Sequence, residues 1–337
     1  MLATRDSQGQ VLVDELRLEA RALRAVDRPL SQASTLPGRL FSDPRIYGRE
    51  QRRLFRGAWH CIGRAEEIPK GSDRVVDIAH SAVAIMRRPD GTFEARRAAD
   101  GSVRVENWRG FLFVNLNPRA RRLDGYLGAF VARAAPYPLE RLRLAHRVVY
   151  DIAANWKLVE QNANECYHCP GVHPQLVRLT PYRSGEEDLK DGPVFGGWME
   201  FVRGVETLTP SGKTRRATFP GLSAADRRRV YYYVLYPGNF LSLLPDYVTL
   251  DWFIPQGPER TRLVFDLYVD REEPDPADDA MAFWDTTNRQ DWRICELAHL
   301  GSKAKAYRQG RYSGEEELVH ALDRYYVRRM GFLRPAR

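Results

Sequence analysis

The stretch "NWKLVEQNANECYHCPGVHPQL", residues 155–176, decides how this sequence is read. It begins as a helix, with Leu158, Val159, Asn162, Cys166 and Cys169 near helical spacing. Pro170 and Gly171 break that pattern before His173. Within residues 162–174 stand two histidines, two cysteines and a glutamate. Three readings are open. Cys166-Tyr167-His168 has the Cys-x-His form of half an iron–sulfur site with mixed ligands. His168 and His173 lie on either side of the break and can converge on one ion, imidazole being the commonest metal ligand near neutral pH. The plain reading is two histidines capping a helix end in a crowded core. Redox iron that handles oxygen commonly takes two histidines and one carboxylate on one face, with open positions for oxygen and substrate. On that reading the third ligand comes from elsewhere in the chain.

Composition narrows the classes. The chain has 337 residues, 43% hydrophobic and 28% charged, which is ordinary for a globular protein with a substantial core. No run of about 18 apolar residues is present, and the first twenty residues lack the order of a secretory signal. A cytoplasmic location and no membrane partner are expected. The net charge is +8, but the arginines are scattered over the chain rather than arrayed on one helix. No nucleic-acid motif is present, so nucleic acid is not an expected partner. The four cysteines, Cys61, Cys166, Cys169 and Cys295, do not form a disulfide framework. Only Cys166 and Cys169 form a C-x-x-C, with no second pair to complete a metal site.

Patterning predicts helices over 11–27 and 44–57, a β-hairpin over 74–97 turning at "PDG", and a strand pair over 103–118. A helix over 121–135, a third β pair around 143–156 and the helix from Asn155 follow. Aromatic and β-branched strands fill 228–270, and long helices cover 278–306 and 314–330. Strands first, then a sheet with long helices, argue an α+β fold.

Residues 155–176 resemble the signature of the catalytic domain of Rieske non-haem iron ring-hydroxylating oxygenase α subunits, which runs roughly N-W-K-L-x-x-E-N-x-x-E-C-Y-H-C-x-x-x-H-P. "LLPDYV" at 243–248 and "FWDTTNRQDWRICELAHLGSKAKAYRQGRYSGEEELVHALDRYY" at 283–326 look like the branch acting on betaine-like and carnitine-like compounds. The resemblance covers about residues 40–330. It implies a helix-grip catalytic domain over 146–337 and a mononuclear Fe(II) held by His168, His173 and Asp291. It implies that Glu165 bridges toward the electron donor, bonding a metal histidine as outer-shell carboxylates do. Asn162 stands at the family's asparagine, while Gln161 replaces its glutamate. Cys166 and Cys169 are expected to pack beside the metal helix without ligating.

One part of the family pattern is missing. A Rieske cluster needs C-x-H and, after a spacer, C-x-x-H. Cys61 in "WHCIGR" has no histidine at the right spacing, and His60, His80 and His146 have no cysteine partners. "GAWHCIGRAEEIPKGSDRVVDIAHSAVAIMRRPDGTFEARR" resembles the segment before the cluster loops, and "VRVENWRGFLFVNLNPRARRLDGYLG" the segment after them. Only "AADGS", residues 98–102, lies between. Residues 1–145 are therefore expected to be N-terminal helices and a truncated Rieske-like β region with no 2Fe–2S cluster. Oxygenation with O2 then needs electrons from a separate ferredoxin, reductase or Rieske-bearing subunit, or from the substrate itself. A basic chain suits an acidic redox partner. The other expectations are a non-catalytic or structural subunit of a heteromeric complex, or a redox-neutral metal-dependent enzyme. A homo-oligomer (trimer) or hetero-oligomer is implied by the resemblance.

The substrate is expected to be small and nitrogen-containing. Aromatic faces hold such cations, and Trp198, Tyr231, Tyr233, Phe240, Tyr247 and Trp252 are the candidate pocket residues. Alternation puts Tyr231 and Tyr233 on one face and Tyr232 on the other, without saying which face is the pocket.

Overall fold

The computed structural model describes residues 20–97 and 101–333. The expected helix over 11–27 is seen as α1 (Ala20–Val26), its earlier part lying outside the described residues; α2 (Pro44–Arg53) follows. Six strands then form one antiparallel sheet: β1 (His60–Arg64), β2 (Asp73–Ile78), β3 (Ser81–Arg87), β4 (Phe93–Arg97), β5 (Gly101–Trp108) and β6 (Phe111–Asn115). From β2 to β6 each strand pairs with the next, and β1 adds to the free edge of β6. Where one hairpin is expected over 74–97, three strands stand. The additional turn is Ala79-His80, both residues at positive φ (51° and 56°). A two-residue turn of that kind usually advertises itself as Asn-Gly. Ala-His does not, so only the "PDG" turn is visible in the sequence.

The expected helix over 121–135 is two short ones, α3 (Leu123–Leu127) and α4 (Phe130–Ala134), interrupted at Gly128 with φ 54°. The expected strand pair around 143–156 is a single strand, β7 (Leu142–Ile152), whose partner lies far downstream. It opens a seven-stranded antiparallel sheet with β8 (Glu186–Leu189), β9 (Val194–Glu200), β10 (Arg229–Leu235), β11 (Asn239–Leu243), β12 (Val248–Gly257) and β13 (Arg260–Asp270), in the order β7-β13-β12-β11-β10-β9-β8.

Alternation along these strands sorts the side chains into two cores. Directly paired residues of antiparallel strands share a face. Register therefore joins Phe195, Val234, Phe240, Asp251 and Phe265 on one face. That face is covered by α5 (Trp156–Ala163), by α8 (Asp278–Ser302), and by α9 (Glu317–Arg329) near β9. The other face carries Tyr231, Tyr233, Leu241, Leu243, Leu250 and Tyr268, packed on Phe130, Tyr137 and Phe111. Burying each such side chain contributes about 1.5–3 kcal/mol. The result is α+β: a sheet gripping a 25-residue helix, preceded by a β-rich N-terminal part. No helix among the described residues is long and apolar enough to cross a membrane.

Candidate metal centre

The opening of the quoted stretch is an anchor. Asn155 has extended backbone and its side chain accepts from the Lys157 N–H at 3.1 Å, capping α5. Trp156 is fully buried, edge-on to Phe55 with ring centres 4.9 Å apart. Its Nε1 donates to Glu50 Oε2 at 2.9 Å, and the Lys157 ammonium meets Glu50 Oε1 at 2.6 Å. Tyr326 donates to the same carboxylate at 2.6 Å. Burial lowers the Lys157 pKa, and Glu50 opposes that by holding the charge. One carboxylate from α2 thus pins the start of α5 to α9.

The sequence pattern carries this helix to Cys169, but it ends at Ala163. The Asn164 side chain donates to the Glu160 carbonyl at 2.8 Å, taking an acceptor the next helical turn would use. The chain then turns through residues 165–167 into α6 (Cys169–Val172) and α7 (Pro174–Val177), each with proline in its first turn. This bent path brings His168 and His173 together. Asp291 arrives from the middle of α8.

Three donor atoms converge. His168 Nε2 lies 3.2 Å from His173 Nε2 and 3.2 Å from Asp291 Oδ1, and His173 Nε2 lies 2.8 Å from Asp291 Oδ1. The opposite ring nitrogens face acceptors. His168 Nδ1 is 2.6 Å from Glu165 Oε1. His173 Nδ1 is 2.7 Å from Gln290 Oε1, which itself accepts from Gln175 at 2.7 Å. Both Nδ1 atoms therefore carry the proton, and both Nε2 lone pairs are directed inward. Ligands about 2.1 Å from one ion and at right angles to each other stand about 3.0 Å apart. The triad fits a single redox metal with one face of its shell open.

The electrostatics show how strongly the two carboxylates favour positive charge here. Burial works against a charged His168, but its hydrogen bonds to Asp291 and Glu165 outweigh it and raise its pKa to about 9. Burial likewise works against an ionised Asp291, and the two histidines still hold its pKa below the usual carboxylate range. The cluster attracts positive charge. Asn162 Nδ2 borders it, 3.3 Å from His168 Nε2.

A cavity of about 600 Å³ opens onto the triad. Of the aromatic candidates, Phe240 lines it. Trp198 is among the lining residues, but it pairs with Tyr231 and its ring lies under the Arg229 guanidinium, 3.5 Å from the ring centre. Three others are displaced by strand register, and Tyr247 lies before β12. Tyr231 and Tyr233 lie on the far face, against Tyr137 and Phe130. Trp252 also faces away, lining a separate cavity of about 180 Å³ near Ile62 and Arg147. Tyr247 is fully buried, its hydroxyl between the Leu208 carbonyl and Trp284 Nε1. The sequence reading misses Tyr232, Asp251, Trp284, Asn288 and Trp292, all lining the cavity. The available signal was alternation for Tyr232, and for Asp251 a lone acid inside the apolar run "VTLDWFI". The cysteines also differ from expectation. Cys166 and Cys169 are joined by a disulfide, which their three-residue separation on the bent segment allows.

The family described as "Ring hydroxylating alpha subunit (catalytic domain)" matches residues 139–331, more than half the chain. The chain belongs to this family. Similar proteins include the glycine betaine monooxygenase oxygenase subunit of Chromohalobacter salexigens, 23% identical over 394 aligned positions that cover 88% of each chain. The carnitine monooxygenase oxygenase subunit of Escherichia coli K12 is 24% identical, covering 83% of this chain and 87% of the relative. Among solved structures, the quaternary ammonium Rieske monooxygenase CntA in complex with L-carnitine aligns with a TM-score of 0.73 at 19% identity, over 90% of this chain and 97% of that one. Naphthalene 1,2-dioxygenase from Rhodococcus sp. aligns with a TM-score of 0.74 at 17% identity, over 96% and 99%. The ring-hydroxylating α subunit described here is thus an oxidoreductase with the Rieske oxygenase fold. Its family works with mononuclear non-haem iron, O2, a small-molecule substrate and a reductase, in oligomers.

Proposed function

We propose that this α subunit is an O2-dependent mononuclear iron oxygenase or oxidase for a small nitrogen-containing substrate, without an iron–sulfur cluster of its own. The convergence of His168 Nε2, His173 Nε2 and Asp291 Oδ1 carries the reading. These three residues would hold Fe(II), which when bound supplies one-electron chemistry toward O2. Glu165 orients the His168 ring and keeps its proton on Nδ1, and Gln290 does the same for His173. Asn162 borders the open face as a polar neighbour. Phe240, Tyr232 and Trp284 give the cavity an apolar, aromatic lining.

Two observations support the lack of a cluster. Where the resemblance calls for two cluster loops, β4 and β5 pair up to Arg97 opposite Gly101, leaving three residues between them. The aligned positions of the Chromohalobacter relative outnumber the residues of this chain, so that relative carries segments without counterpart here. On this reading residues 1–145 are a shortened Rieske-like unit and 146–337 the catalytic unit of a cytoplasmic enzyme. Electrons come from a docked redox protein or from the substrate; a net charge of +8 favours an acidic docking partner.

Oxygen uptake tests the proposal. The iron-loaded chain, given N-methylated amines and a ferredoxin–reductase system, should consume O2 above background. Asp291→Ala should abolish that uptake while keeping its melting temperature within a few degrees. Uptake without the reductant system assigns the electrons to the substrate. Equal uptake by the Asp291→Ala variant would refute the iron role.

A further inference from the structure

The cavity has one wall that the proposed chemistry leaves unused. Asp251 stands on β12, directly opposite Phe240 of β11 and Phe265 of β13, and lines the cavity. It is only 6% exposed. Among the described residues, no group donates a hydrogen bond to its carboxylate and no cation pairs with it. Burial raises its pKa well above the usual range, and the nearby charges of Asp266 and Asp291 raise it further, so the empty site favours the neutral acid and an arriving cation restores the carboxylate. A buried carboxyl without partners is costly. Other acids in native interiors have one: Glu50 holds Lys157, and Asp246 holds Arg216. Asp251 has none, and it faces open space.

The surroundings limit what can fill it. Tyr232 stacks on Phe240 with ring centres 5.9 Å apart and planes 3° from parallel, and Trp284 lines the same cavity. Aromatic faces receive the alkyl groups of a substituted ammonium. For a quaternary ammonium they suffice, since it has no N–H. A carboxylate with open lone pairs is used fully only by a cation that donates a hydrogen bond, and such charge-assisted bonds are about twice as strong as neutral ones. Aromatic walls together with one free carboxylate therefore describe a site for an N-alkylated amine that still bears a proton.

We propose that Asp251 is a specificity residue that selects a protonated secondary or tertiary amine over a quaternary ammonium, by accepting the substrate N–H. This rests on the reading of the cavity as the substrate site. It is independent of where the electrons come from.

The test is equilibrium binding by calorimetry on the full chain, with a matched pair of probes: N,N-dimethylbutylamine, protonated at pH 7, and butyltrimethylammonium. Wild type should bind the tertiary amine roughly tenfold or more tightly than the quaternary ion. Asp251→Asn, nearly isosteric, should bring that ratio close to one. Because it removes an unpaired buried acid, it should also leave the melting temperature unchanged or higher. Equal or tighter binding of the quaternary ion by wild type, no binding of either probe, or an unchanged preference in Asp251→Asn would overturn the proposal. Binding with the expected preference but no O2 uptake would instead count against the oxygenase reading alone.

Discussion

At the triad, the disposition of protons decides what the site can hold. Each histidine gives its Nδ1 proton to an outer oxygen and turns its Nε2 toward Asp291. Glu165 also accepts from the His168 backbone N–H at 3.1 Å, so its carboxylate fixes both ring and main chain. Glu165→Gln keeps an acceptor of the same shape and removes the charge. Iron affinity, measured by competition with a chelator, should fall roughly 10- to 100-fold with the fold intact. An unchanged affinity would mean that Glu165 acts only on backbone geometry. The convergence of His168 and His173 was legible in the sequence because the bend at Pro170-Gly171 and the flanking motif both constrain them. The pocket residues were less so. Tyr231, Tyr232 and Tyr233 are chemically alike, and alternation separates them without naming the inner face. Register with Phe240, and hence burial under α5 and α8, is a tertiary fact.

At the level of elements, α5 is held by buried charge. Glu50 satisfies Lys157, Trp156 and Tyr326 at once. Glu50→Ala would leave a buried ammonium and two donors without partners, and chemical denaturation should show a loss of about 3–5 kcal/mol. A loss under 1 kcal/mol would show that water replaces the carboxylate. Glu160 on the same helix behaves differently. Burial raises its pKa from 4.5 to about 8, with only the Gly238 N–H bonded to it. The folded chain therefore keeps this proton over a range where the unfolded chain releases it. Its contribution to stability is full below pH 4.5 and declines as pH rises toward 8. Glu160→Gln should flatten that part of the stability profile; an unaltered slope would contradict the assignment. Element boundaries were the least legible part of the fold. The α5 stop depends on the Asn164 side chain reaching back to a carbonyl, and the β2–β3 turn on positive φ at Ala79 and His80. Neither follows from hydrophobic periodicity, whereas the 25-residue α8 does.

For the whole molecule, we propose that a catalytic sheet and helices are retained beside a shortened N-terminal sheet. On the proposed reading the iron triad sits within one chain, and its electrons enter from outside it or from the substrate. That division predicts a specific composition. The most direct measurement is iron and acid-labile sulfide per chain, after anaerobic reconstitution with both iron and sulfide. One iron and no sulfide is the predicted result. About three irons with two sulfides per chain would reveal a 2Fe–2S cluster in the N-terminal sheet and contradict the account.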